Sequence, residues 1–160
     1  MYIKWSVTAD LSDMTLEYFE KEYNGIYGFF SLEIDGNKLG ERAEECYEDE
    51  GLYDISYYLG CLIKCGIAMK KREKISVMLL ECVLAELVLE FDDDVTISFV
   101  NIGSREIYWS AKITREELTE EIEYNYHSFI DYIKKVNPLL LDSYLLWILK
   151  SRYDDFKNLK

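Results

Sequence analysis

The sequence predicts a single α+β domain over residues 1–160, built from an antiparallel sheet of about five or six strands, a middle helix and a C-terminal helix pair packed against the sheet. Three observations lead there. Apolar and polar residues alternate in several short stretches, the mark of strands with one wet face. From Ile55 the apolar spacing changes to three and four, the helical period. Thr114-Arg-Glu-Glu117 then reads as a capping box that opens a long helix.

Each element follows in order. Ile3, Trp5, Val7 and Ala9 alternate with Lys4, Ser6 and Thr8, predicting a strand over Ile3–Ala9. Met14–Tyr23 fits a short helix or a loop. Ile26–Ile34 is a second strand, and Asp35-Gly36 behind it signals a tight turn into a short returning arm at Lys38-Leu39-Gly40. Glu41–Asp54 is dominated by acids, seven in fourteen residues, and reads as loop or exposed helix. Ile55, Tyr58, Leu59, Leu62, Ile63 and Ala68 mark a helix to about Lys71, closed by the cations Lys70, Lys71, Arg72 and Lys74 where the helix dipole favours them.

Ile75–Phe91 is apolar almost all round, so its first part fits a buried strand or a buried helix equally well. Its end alternates, and with Val95–Val100 and Ile107–Ile113 it forms a three-strand meander joined at Asp92-Asp93-Asp94 and around Gly103. After the capping box, Leu118, Ile122, Tyr126, Phe129, Ile130 and Ile133 lie on one helix face through about Val136. Asn137-Pro138 restarts the chain, and Leu139–Phe156 reads as a second helix, apolar on most sides and therefore well buried.

Composition narrows the function. With 18 Lys+Arg against 31 Asp+Glu the net charge is −13, which opposes direct binding to nucleic-acid phosphates and suits a basic partner. The start of the chain lacks a basic region followed by a long apolar run, and Ile75–Phe91 is interrupted by Glu81, Glu86 and Glu90. The expectation is a cytoplasmic protein with no membrane partner. Cys46, Cys61, Cys65 and Cys82 do not form a disulfide framework in a chain of this length. Cys61 and Cys65 share a helix face, but a metal site needs two further ligands, so buried reduced thiols are the simpler account and no metal or cofactor is expected.

No glycine-rich phosphate loop, Walker motif or Gly-x-Ser-x-Gly occurs. Nucleophilic catalysis would have to use the only histidine, His127, whose place beside an apolar helix face suits a structural role. Asp92–Asp94 lacks the spacing of a calcium loop and reads as a charged turn. Catalytic residues are therefore not assigned, and an enzyme is not expected.

The acids themselves are unevenly placed. Glu41–Asp54 carries seven, Asp92–Asp94 three and Glu116–Glu123 five, so 25 positions hold 15 of the 31, where an even spread would put about five. Any one cluster is explained by a solvated turn or helix start. Together with 14 tyrosines, four of them (Tyr47, Tyr53, Tyr57, Tyr58) in or beside the first cluster, they describe an interface: acids steer association with a basic surface, and tyrosine supplies contact area at low entropic cost. The residues expected to contact a partner are Glu44, Glu45, Tyr47, Glu48, Asp49, Glu50 and Asp54, with Glu116 and Glu120 from the later cluster.

The stretch Phe30-Ser-Leu-Glu-Ile-Asp-Gly36, continuing Asn37-Lys-Leu-Gly40, and the order Asp92-Asp-Asp-Val-Thr-Ile-Ser-Phe99, strand, then Thr-Arg-Glu-Glu helix start, resemble immunity proteins of bacterial contact-dependent growth inhibition and polymorphic toxin systems. The resemblance implies a tight inhibitor of one cognate toxin domain, often a nuclease, that protects the producing cell and its siblings. It implies a function class and no residue roles. The alternatives are a small acidic enzyme using carboxylates in a pocket, and an adaptor that binds a host protein. A cleft holding a perturbed acid pair would favour the enzyme; a flat or convex acidic face would favour the inhibitor.

Overall fold

The computed structural model describes residues 1–23, 25–41, 53–78 and 84–159. Their architecture is α+β, with four helices and two antiparallel sheets of four strands each, in place of the single sheet of five or six expected. In the first sheet, β1 (Tyr2–Val7) pairs with β2 (Tyr27–Ile34), which also pairs with β3 (Asn37–Glu41) and with the two-residue β4 (Tyr53–Asp54). Asp35 and Gly36 both take positive φ (49° and 78°), the conformation that a tight primed hairpin turn requires. Between β1 and β2 lies the open stretch of the sequence reading, a single helical turn α1 (Leu16–Tyr18) that widens into a π-helical turn at Phe19–Tyr23.

The second sheet runs β5 (Ile75–Met78), β6 (Ala85–Phe91), β7 (Val95–Asn101) and β8 (Ile107–Ile113) in spatial order. The ambiguous run after Lys74 therefore begins as a strand, while residues 79–83 lie outside the described set. Burial on both faces continues into the rest of the sheet, where Val88 and Val100 are buried on the face opposite Leu87, Leu89 and Ile97. A register shift between Phe99 and Val100 lets Phe99 face Trp109 while Val100 faces Ile107.

The helix α2 (Ile55–Lys71) is the hub. Ile55, Tyr58, Leu59, Cys61, Ile63, Cys65, Ala68 and Met69 are all buried, because β2, β5, β6 and both C-terminal helices pack around it. Gly66 allows the closest approach: a Cβ there would stand 2.5 Å from Ile122 Cδ1 and 2.8 Å from the Phe156 ring. At the C-terminus of α2 the Lys70 ammonium donates to the Leu159 carbonyl (2.7 Å) and lies 4.7 Å from the centre of the Phe156 ring.

Helix α3 (Arg115–Val136) buries Leu118, Ile122, Tyr126, Phe129 and Ile133, as its periodicity predicts. The second C-terminal helix differs from expectation. Asn137 caps a 3-10 turn at Pro138–Asp142, and α4 (Tyr144–Asn158) starts afresh with Ser143 as its N-cap. Only Leu146, Leu149, Tyr153 and Phe156 of α4 are buried, so it is an outer amphipathic helix, and α2 takes the buried place. Asn137 also ties the chain together, its amide donating to the carbonyls of Leu11 and Met14 at 2.8 Å each.

Candidate interaction surface

The start of α3 follows directly from β8, so its position is set by the second sheet. Val95 pairs with both Phe91 and Ile113, which puts the Asp92–Asp94 turn at the same end of the sheet as Thr114, the N-cap of α3. Arg115 Nη2 donates to the Asp92 carbonyl and joins the turn to the helix. Two acid clusters separated by more than twenty residues in sequence thereby meet: Asp92, Asp93 and Asp94 on the turn, Glu116 and Glu120 on the helix, all exposed.

The four acids Glu116, Glu117, Glu120 and Glu121 have different fates. Glu117 turns back as the capping box requires, its Oε2 accepting from the Thr114 amide (2.7 Å) while Thr114 Oγ1 accepts from the Glu117 amide (3.1 Å). That backbone hydrogen bond holds its carboxyl below the usual range. Glu121 faces inward and accepts from Asn125 Nδ2 (2.9 Å), and partial burial pushes its carboxyl up. Asn125 is itself buried and accepts from Trp5 Nε1 (3.1 Å), which locks α3 onto β1. Glu116 and Glu120 are left facing solvent, and one further turn along the same helix face stands Tyr124, 68% exposed. Glu123 pairs with Lys157 of α4 (2.5 Å).

Asp54 stands apart from the other candidates. It is the N-cap of α2, its Oδ1 accepting from the Tyr57 amide (3.0 Å) and from Ser56 Oγ, so its carboxylate serves the fold. Glu44, Glu45, Tyr47, Glu48, Asp49 and Glu50 lie outside the described residues, as do Cys46 and Cys82. Tyr53 and Tyr58 are buried in the core, with rings 6.1 Å apart. His127 Nε2 meets the Tyr153 hydroxyl (2.9 Å) beside the stacked pair of Tyr126 and Tyr153, a structural setting.

On the inner side of the α3 start, where Leu118 faces inward, a cavity of about 150 Å3 lies between the two sheets and α2. Ile3 and Phe30 of the first sheet, Leu87 and Ile97 of the second, and Cys61 and Cys65 of α2 are among its walls, and among the described residues no charged side chain lines it. Burial raises both thiols, that of Cys65 to about 12, so they are protonated and poorly suited to nucleophilic or metal chemistry. Among the described residues, no group of three or more His, Cys, Asp or Glu is placed to hold a metal ion, and no helix is long and apolar enough to cross a membrane.

One surface feature escaped the sequence reading. Tyr144 and Trp147 stack in the open on α4 (centroids 5.8 Å apart), and the Tyr144 amide donates to Glu20 of the π-helical turn. Its signal in the sequence is the apolar excess of Leu139–Phe156, which periodicity alone does not distinguish from burial. Comparison with family models, with curated proteins and with solved structures finds no match to this chain.

Proposed function

We propose that this protein is a non-catalytic immunity protein that neutralises a basic toxin domain, most simply a nuclease, through an acidic, tyrosine-containing surface. The observation that carries the reading is the convergence of Asp92, Asp93, Asp94, Glu116 and Glu120 at the N-terminal end of α3, with Tyr124 on the same helix face. Like charges are brought together here by a capping box and an arginine-to-carbonyl bond. An exposed group of carboxylates of this kind attracts a cationic partner at long range. On a nuclease these carboxylates would pair with the lysines and arginines that hold phosphates, and the bulk of the two sheets would exclude the substrate. Glu44, Glu45, Tyr47, Glu48, Asp49 and Glu50 extend this contact set from the sequence alone.

Charge reversal tests the siting. Asp93→Lys, Glu116→Lys and Glu120→Lys replace exposed residues outside the core, so the triple variant is expected to fold. Its association rate with the toxin domain should fall by about tenfold or more at low ionic strength, and the rate should lose most of its salt dependence. An unchanged rate with unchanged salt dependence would place the contact elsewhere.

A further inference from the structure

We propose that the cavity between the two sheets is a binding site for a small uncharged apolar molecule, on the scale of one aromatic ring or a short alkyl chain. Protein interiors leave few voids larger than a water molecule, and about 150 Å3 is far beyond that. Water is a poor occupant, since an ordered water needs two to four polar partners and these walls offer chiefly alkyl, aromatic and thiol surface. An enclosed engineered cavity of about this size, lined by Leu, Ile and Phe, takes up benzene or xenon, and these walls share that chemistry. No described side chain in the lining is charged, and the Met1 ammonium beside it is already paired with Glu117 (3.7 Å), so an ionic ligand would leave its own charge unpaired.

The walls are also preformed. Ile3 and Phe30 are held by the pairing of β1 with β2, Leu87 and Ile97 by the pairing of β6 with β7, and Cys61 and Cys65 by the buried helix α2. A ligand therefore needs to order little of the protein in order to bind. Leu39, Leu62 and Phe99 line the same space and are only partly buried, so the cavity reaches towards the surface. None of this depends on the acidic surface at α3, and the site would exist whatever partner that surface meets.

The test uses the whole chain with benzene, xenon and benzoate as probes. Benzene should raise the thermal midpoint saturably. Benzene and xenon should shift the methyl resonances of Ile3, Leu87 and Ile97 while those of Leu146 and Leu149 on α4 stay still. Benzoate, of similar size but charged, should do neither. Ile97→Phe, and the milder Ile97→Met, fill the space from a β7 position facing it, and whichever variant keeps the wild-type circular dichroism should lose the response. The proposal is wrong if the wild-type chain takes up neither benzene nor xenon, or if a folded, filled variant responds as the wild type does.

Discussion

Glu121 and Glu117 stand one helical turn apart on α3 and respond to acid in opposite ways. Glu117 has a depressed pKa, so its contribution is present above the ordinary glutamate value and is lost as pH falls through the folded one. Glu121 has a raised pKa, which means that its charged form is disfavoured in the folded state at neutral pH and that the disadvantage disappears as pH falls through the folded value. Glu121→Gln keeps an oxygen for Asn125 to donate to and removes the charge. The variant should be at least as stable as the wild type at pH 7, with the difference narrowing towards the ordinary glutamate pKa of about 4.3, as urea melts at pH 7 and pH 5 will read. The capping role of Glu117 was legible from the spacing Thr114-x-x-Glu117. The inward turn of Glu121 was not, because it depends on Asn125 and Trp5, the second of which is 116 residues distant in sequence. Asp54 teaches the same lesson: in a run of acids, sequence does not distinguish the one that caps a helix from those that face solvent.

At the scale of elements, periodicity is most legible where one side is wet, as at Val95–Asn101 and Arg115–Val136. Periodicity reports which side of a strand meets solvent and not which strand lies beside it, so the division into two sheets was invisible. The exchange of roles between α2 and α4 has a similar origin, since both are rich in apolar residues and only packing decides which is enclosed. Two substitutions test the joints that packing creates. Asn137→Ala would leave the Leu11 and Met14 carbonyls without their donor and remove the cap on Leu139, a loss of about 1–3 kcal/mol measurable by urea unfolding. Gly66→Leu would drive a side chain into Ile122 and Phe156 where α2 meets α3 and α4, and should cost about 1–3 kcal/mol or more through overpacking.

For the molecule as a whole, the net charge of −13 first argued only against nucleic acid as a ligand. The fold gives part of that charge a place, by setting the Asp92–Asp94 turn beside the first turn of α3. The apolar cavity framed by the two sheets and α2 lies on the inner side of the same helix start, with Leu118 in its wall, while Glu116 and Glu120 face solvent. The acid clustering was legible from residue positions, whereas the meeting of two clusters required the register of β6, β7 and β8. The proposed role is neutralisation of a basic toxin domain. Co-expression in bacteria with the C-terminal domain of a toxin encoded immediately upstream tests it most directly, with growth as the readout. Growth should continue with the wild-type chain and falter with the Asp93→Lys, Glu116→Lys, Glu120→Lys variant. Growth arrest in the presence of abundant, folded wild-type protein would contradict it.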